Sequence, residues 1–161
     1  MNESNNRVIA LQDGFAKAAV KSEKKWLADL RDNNLAEMVS RGEYERACRL
    51  VESGHDINEL SMDRKHTSVI IAISRVYRAV TRDPSDLDGS INMTVFLIDE
   101  GANLDFKARA RKSFWGHLEN LYRGEGQDVK DALNSIFQAL EERLKEQAPE
   151  VFEKYRLDQP A

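Results

Sequence analysis

Apolar residues along this chain recur at three- and four-residue steps and never alternate over a sustained run, so the pattern predicts helices and no sheet. Val8, Leu11, Phe15, Ala18, Ala19, Trp26 and Leu30 draw one apolar stripe over residues 7–30, and the polar run Arg31-Asp32-Asn33-Asn34 ends it. Shorter helices follow. The strongest signature comes last, where Val129, Leu133, Ile136, Phe137, Leu140 and Leu144 share a face over residues 128–144. Asp128 is the expected N-cap and Pro149 the expected stop. A final turn carrying Val151, Phe152 and Tyr155 is expected to dock back.

Two blocks within the chain resemble each other. Gly42 and Gly54 stand twelve positions apart around a helix-sized run, as do Gly89 and Gly101. Gly54-His55-Asp56-Ile57-Asn58 then continues like Gly101-Ala102-Asn103-Leu104-Asp105. The closing glycines suit the left-handed position that ends a helix at no steric cost, and the opening ones suit a tight turn between helices. Ile57 and Leu104 are expected to pin the outgoing chain beneath the helix it has just left.

In these residues the chain resembles the ankyrin-repeat family over about residues 35–124. The helix, the glycine and the Asp/Asn–aliphatic–Asn/Asp run look like the end of that family's second helix and the start of its hairpin. Thr67-Ser68-Val69-Ile70 and Ser113-Phe114-Trp115-Gly116 stand where the family has Thr-Pro-Leu-His, with Pro and His absent from both. The blocks lie 47 residues apart, against about 33 for such repeats, which assigns a long internal loop to the insert at 75–90. The expected fold is therefore all-α: a short ankyrin-like solenoid, 35–124, between an N-terminal capping helix, 1–34, and C-terminal capping helices, 125–161. Caps are needed because terminal repeats must turn a polar face to water.

Charge narrows the choice of partner. The chain carries 24 Lys and Arg against 28 Asp and Glu, and residues 125–161 hold five basic and nine acidic of these. A duplex-binding domain looks basic, so no nucleic acid is expected as partner. The longest apolar run, 69–73, is too short to span a bilayer, and the first twenty residues hold no uninterrupted apolar core. With a single cysteine, the chain is expected to be cytoplasmic and without membrane contact.

Candidate chemistry is sparse. His55 and His66 fall in the first hairpin, and Cys48 reads as a small hydrophobe in mid-helix. Setting Gly89 on the glycine of a calcium-binding loop puts Pro84 at the first ligand position and Val95 at the last, so Asp83, Asp86 and Asp88 fail that pattern. No cofactor, metal or catalytic residue is expected. Lys107, Arg109, Arg111 and Lys112, four cations within six residues, are the sharpest local feature and suit an acidic protein surface. The resemblance implies protein partners bound through hairpin tips and the inner helix face. That assigns Glu59, Asp63, Arg64 and His66 on the first hairpin, Arg75 behind it, and the four cations on the second. A non-enzymatic module that inhibits or tethers one partner is the leading expectation. A small enzyme using His66 or His117, and a self-associating structural subunit, are the alternatives. Phe114 and Trp115 read as helix core.

Overall fold

A computed structural model describes residues 32–147 together with Pro149, Glu150 and Glu153. The helix expected over 7–30 and the turn through Val151, Phe152 and Tyr155 lie outside the described residues. Contacts divide the chain into Met1–Asn33 and Asn34–Ala161, and the account below is of the second unit.

The described residues are mainly helical, consistent with an all-α fold. Its helices are α1 (Leu35–Ser40), α2 (Tyr44–Glu52), α3 (Ser68–Thr81), α4 (Leu87–Asp99), α5 (Phe114–Tyr122) and α6 (Gln127–Gln147), with a 3-10 turn at Pro84–Asp86. Among the described residues there is no strand, only an isolated antiparallel bridge between Leu60 and Thr67. α1 packs on α3 and α3 on α5; α2 packs on α4 and α4 on α6. Each pair of chain neighbours, α1/α2, α3/α4 and α5/α6, also packs together, so the helices lie in two layers. α3 supplies the centre of the core through Val69, Ile70, Ala72, Ile73, Val76 and Ala79, all buried. The last helix buries the stripe expected of it: Val129, Leu133, Ile136 and Leu140 are buried, with Phe137 half-buried against the same core.

The repeat is written in hydrogen bonds as well as in residues. At the end of α2 the N–H of Gly54 donates to Val51 O and that of His55 to Leu50 O; at the end of α4, Gly101 donates to Ile98 O and Ala102 to Leu97 O. Both are Schellman closures, with the glycines at φ +95° and +91°. Beyond them, Asp56 Oδ1 accepts from Asn58 N at 2.9 Å, and Asn103 Oδ1 from Asp105 N at 3.0 Å, the same Asx turn twice. Asn58 then ties the copies together by accepting from Asn103 N at 2.8 Å.

The opening glycines divide: Gly42 makes the tight turn between α1 and α2 expected of it, and Gly89 does not. Gly42, at φ +75°, closes α1 by a third such motif, with Gly42 N donating to Val39 O and Glu43 N to Met38 O. Gly89 lies inside α4, where a Cβ would come within 2.9 Å of the Tyr44 ring, so its role is close packing rather than a turn. The insert at 75–90 is likewise no long loop. α3 simply continues to Thr81, and after Arg82 and Asp83 the chain is helical again from Pro84. Asp128, the expected cap, falls within the first turn of α6, which begins at Gln127.

The helix starts obey capping rules unevenly. Asn34 caps α1 by accepting from Glu37 N at 2.9 Å, and Ser113 caps α5 by accepting from Gly116 N at 3.1 Å. Thr67 stands at the N-cap of α3 without a side-chain cap bond, and its buried Oγ1 has no hydrogen-bond partner. A buried hydroxyl without a partner is destabilising, so Thr67→Val is expected to raise the melting temperature by about 2–4 °C, a gain near 1 kcal/mol. A lowered melting temperature in a thermal scan would show that the hydroxyl contributes to the cap.

Candidate functional site

Two loops project from the helix pairs. In the first, the Leu60–Thr67 bridge is backed by Ser61 N donating to His66 O at 2.8 Å. Arg64 turns its tip in a left-handed conformation, φ +62°, a region that non-glycine residues rarely adopt. The second loop spans 102–113, and Ala108 adopts the same region at φ +50°. There Ala110 is buried and its N–H donates to Lys107 O at 3.0 Å. With Ala110 pinned inward, Lys107, Arg109, Arg111 and Lys112 all stay exposed. Among the described residues none of the four is ion-paired. Four like charges held apart from counter-charges make a local positive field inside an acidic chain.

The residues assigned on the first loop divide. Glu59 Oε1 accepts from Leu35 N at 3.0 Å and pairs with His55 Nε2 at 2.8 Å, which ties the loop to the start of α1. The Asp63 carboxylate accepts from Ser61 Oγ and from Lys65 N, bonds that hold it below the usual carboxylate range. Both carboxylates therefore shape the loop. Arg64 is exposed and His66 half-buried.

Arg75 departs furthest from the surface role assigned to it. Its side chain is only 17% exposed and lies in a network, so it does not extend the cationic surface. Its Nε donates to the Tyr44 hydroxyl at 2.6 Å and to Asp86 Oδ2 at 3.0 Å, while Nη1 donates to Ser40 O. The Tyr44 hydroxyl in turn donates to Asp86, 2.8 Å from Oδ1. Burial, and then the bond to Asp86, push the Tyr44 pKa up to about 12.

His66 and His117 are each half-buried. His117, on α5, is held below the ordinary imidazole value by burial first and then by Lys112 and His66. Its electrostatic neighbours are thus cationic or neutral groups. Cys48 is half-buried, 3.9 Å from Met93 Sδ, and burial with Glu52 and Glu100 raises its thiol above the ordinary value, away from the thiolate. Among the described residues no group of three His, Cys, Asp or Glu is placed to hold a metal ion.

Exposed aromatic side chains lie beside the cations. Phe106 is 42% exposed and Trp115 40%, whereas Phe114 is fully buried. The pair read as core is therefore split by one step of helix rotation. Trp115 is held from two sides: its Nε1–H donates to Asp105 Oδ1 at 3.0 Å, and its ring stands edge-on to Phe114 with centroids 5.3 Å apart. Asp105 is the counterpart of Asn58, so the position that joins one copy to the next in the first loop orients an exposed indole in the second. Spacing alone gives no warning of this, because it depends on which face α5 turns to the core.

A groove runs along α5 between the two layers. It has a volume of about 510 Å3 and is lined by Tyr77 and Val80 of α3, Lys112, Asn120 and Arg123, and Val129 of α6, among others. No membrane-length apolar helix occurs among the described residues. The chain matches no protein-family model, no curated protein and no solved structure.

Proposed function

We propose that this chain is a non-enzymatic protein-binding module, a short ankyrin-like solenoid that captures an acidic partner surface on its second loop. The observation that carries this reading is the exposed set Lys107, Arg109, Arg111 and Lys112 around the buried Ala110, beside an oriented Trp115. Interfaces concentrate their energy in aromatic and arginine side chains, and unpaired surface cations steer encounter with an acidic surface. The solenoid reading is supported by the twice-repeated closure and Asx turn and by the two-layer packing. In that reading the stack occludes or tethers its partner, as an immunity protein or effector inhibitor does. The partner-facing set is Arg64 and His66 with the four cations.

Affinity capture from the native lysate, comparing the wild type with Arg109→Glu/Arg111→Glu, tests the proposal. The double variant is expected to lose the retained protein, with binding weakened about tenfold or more and melting temperature unchanged, because both side chains are exposed. Equal capture by the two forms would remove the loop from the mechanism.

A further inference from the structure

The groove is continuous with the cationic loop, because Lys112 both ends the loop and lines the groove. Its volume, about 510 Å3, falls in the range of about 300–1,000 Å3 that accepts ligands. Val80, the almost fully buried Val129 and Tyr77, 42% exposed, belong to its apolar lining. Its two ends differ in charge. Lys112 precedes α5 and Glu125 follows it, so the nine-residue helix separates them by about 14 Å. At the far end Arg123 is already held by Glu119 at 2.7 Å, which leaves Glu125 to set the sign there. At the near end the positive charge continues outward through Arg111 and Arg109, both exposed.

We infer that this groove takes an extended segment of the acidic partner, with carboxylates at the Lys112 end and one apolar side chain seated among Tyr77, Val80 and Val129. The inference rests on the binding function proposed above and adds where the partner's chain runs and at which end its carboxylates lie. At about 3.3 Å per residue, the length of α5 spans about four extended residues. Charge complementarity sets their order. Acidic residues belong beside Lys112, and a neutral or basic residue belongs beside Glu125, since a like charge at either end is repelled. The groove is partly open to solvent, and Lys112 is shared between its lining and the cationic loop. That geometry matches a chain passing through rather than a small molecule enclosed within it.

Selection of random dodecapeptides displayed on phage, against the full chain, reads this chemistry without knowledge of the partner. Enriched peptides are expected to carry a pair of acidic residues within about four positions of an apolar one, on either side of it. Titrated as synthetic peptides by fluorescence anisotropy, they are expected to bind Tyr77→Ala about tenfold more weakly. The charge-swapped variant Lys112→Glu/Glu125→Lys is expected to bind these peptides about tenfold more weakly, because the acidic pair then meets a carboxylate at the end it occupies. Circular dichroism melts verify that each variant is folded. No enrichment, enrichment without an acidic pair near an apolar residue, or indifference to both Tyr77→Ala and the charge swap would overturn the inference. Peptides that lose affinity for Arg109→Glu/Arg111→Glu but not for Tyr77→Ala would overturn the groove while leaving the loop in place. The reverse pattern would support the groove and count against the loop.

Discussion

Arg75→Ala is expected to destabilise the protein by about 2–4 kcal/mol, measured as a lowered urea midpoint at constant slope. The guanidinium joins three pieces of chain: Ser40 O at the end of α1, Tyr44 at the start of α2, and Asp86 ahead of α4. Side-chain exposures of 17% for Arg75 and 18% for Asp86 leave water little room to replace the lost bonds. Removing the cation strands a mostly buried carboxylate, and that penalty exceeds the net contribution of the pair itself. Arg75→Lys is expected to recover only part of the loss. A single ammonium cannot reach Ser40 O and the Tyr44–Asp86 pair from one position, whereas the planar fork donates in both directions. Replacing both charges, as Arg75→Met/Asp86→Leu, is expected to be milder than Arg75→Ala, because no charge is then left unmatched. A cost below about 0.5 kcal/mol for Arg75→Ala would mean the network adds nothing beyond an ordinary surface contact.

That network also marks where reading the sequence stops. Gly54 and Gly101 were legible because a left-handed helix end is a local demand met by one residue, and the Asx turns that follow are equally local. Gly42 and Gly89 share the same spacing but different jobs. Gly42 closes a helix that ends there, while Gly89 answers the Tyr44 ring, 45 positions away in the chain. The apparent loop at 75–90 comes from the 47-residue spacing of the two blocks against about 33 for such a repeat, and the break it implies falls near Asp83-Pro84-Ser85-Asp86. Pro84 sits at the start of a 3-10 turn, where its missing N–H costs nothing, so the break shrinks to Arg82 and Asp83. The cationic loop could be read directly, being contiguous. Its rigidity could not, because that depends on Ala110 reaching the core. Glu59 reads as a surface charge, yet it accepts from Leu35 N, 24 positions away, a partner that exists only after folding. Asp63 stays exposed, and its bond to Lys65 N is as local as the Asx turns. The groove is still less local: its lining comes from α3, α5, α6 and the segments flanking α5, and no one segment carries its signature.

Phe114→Ala is expected to be the most costly single change, at about 3–5 kcal/mol. The ring follows the Ser113 cap and is fully buried in the core to which α3, α4 and α6 contribute, so its removal leaves a cavity that rigid helices collapse only partly. Phe114→Leu keeps most of the volume and is expected to cost about 1 kcal/mol. The alanine variant carries a second consequence, because the same ring presents its face or edge to Trp115 at 85°. In a Trp26→Phe background the remaining indole reports on its own mobility. Its fluorescence anisotropy is expected to fall in Phe114→Ala, and to fall also in Asp105→Ala, which deletes the acceptor of the Nε1–H and also a carboxylate that favours the charge on Arg143. The two variants weigh stability and orientation differently: the first removes a buried core ring as well as loosening the indole, the second mainly loosens the indole, with a small electrostatic loss at Arg143. If an ordered Trp115 contributes to capture, Asp105→Ala weakens peptide binding at nearly full thermal stability, because ordering the side chain is then left to the binding step at about 0.5–1.5 kcal/mol. Unaltered anisotropy in Asp105→Ala would show that Phe114 alone sets the indole.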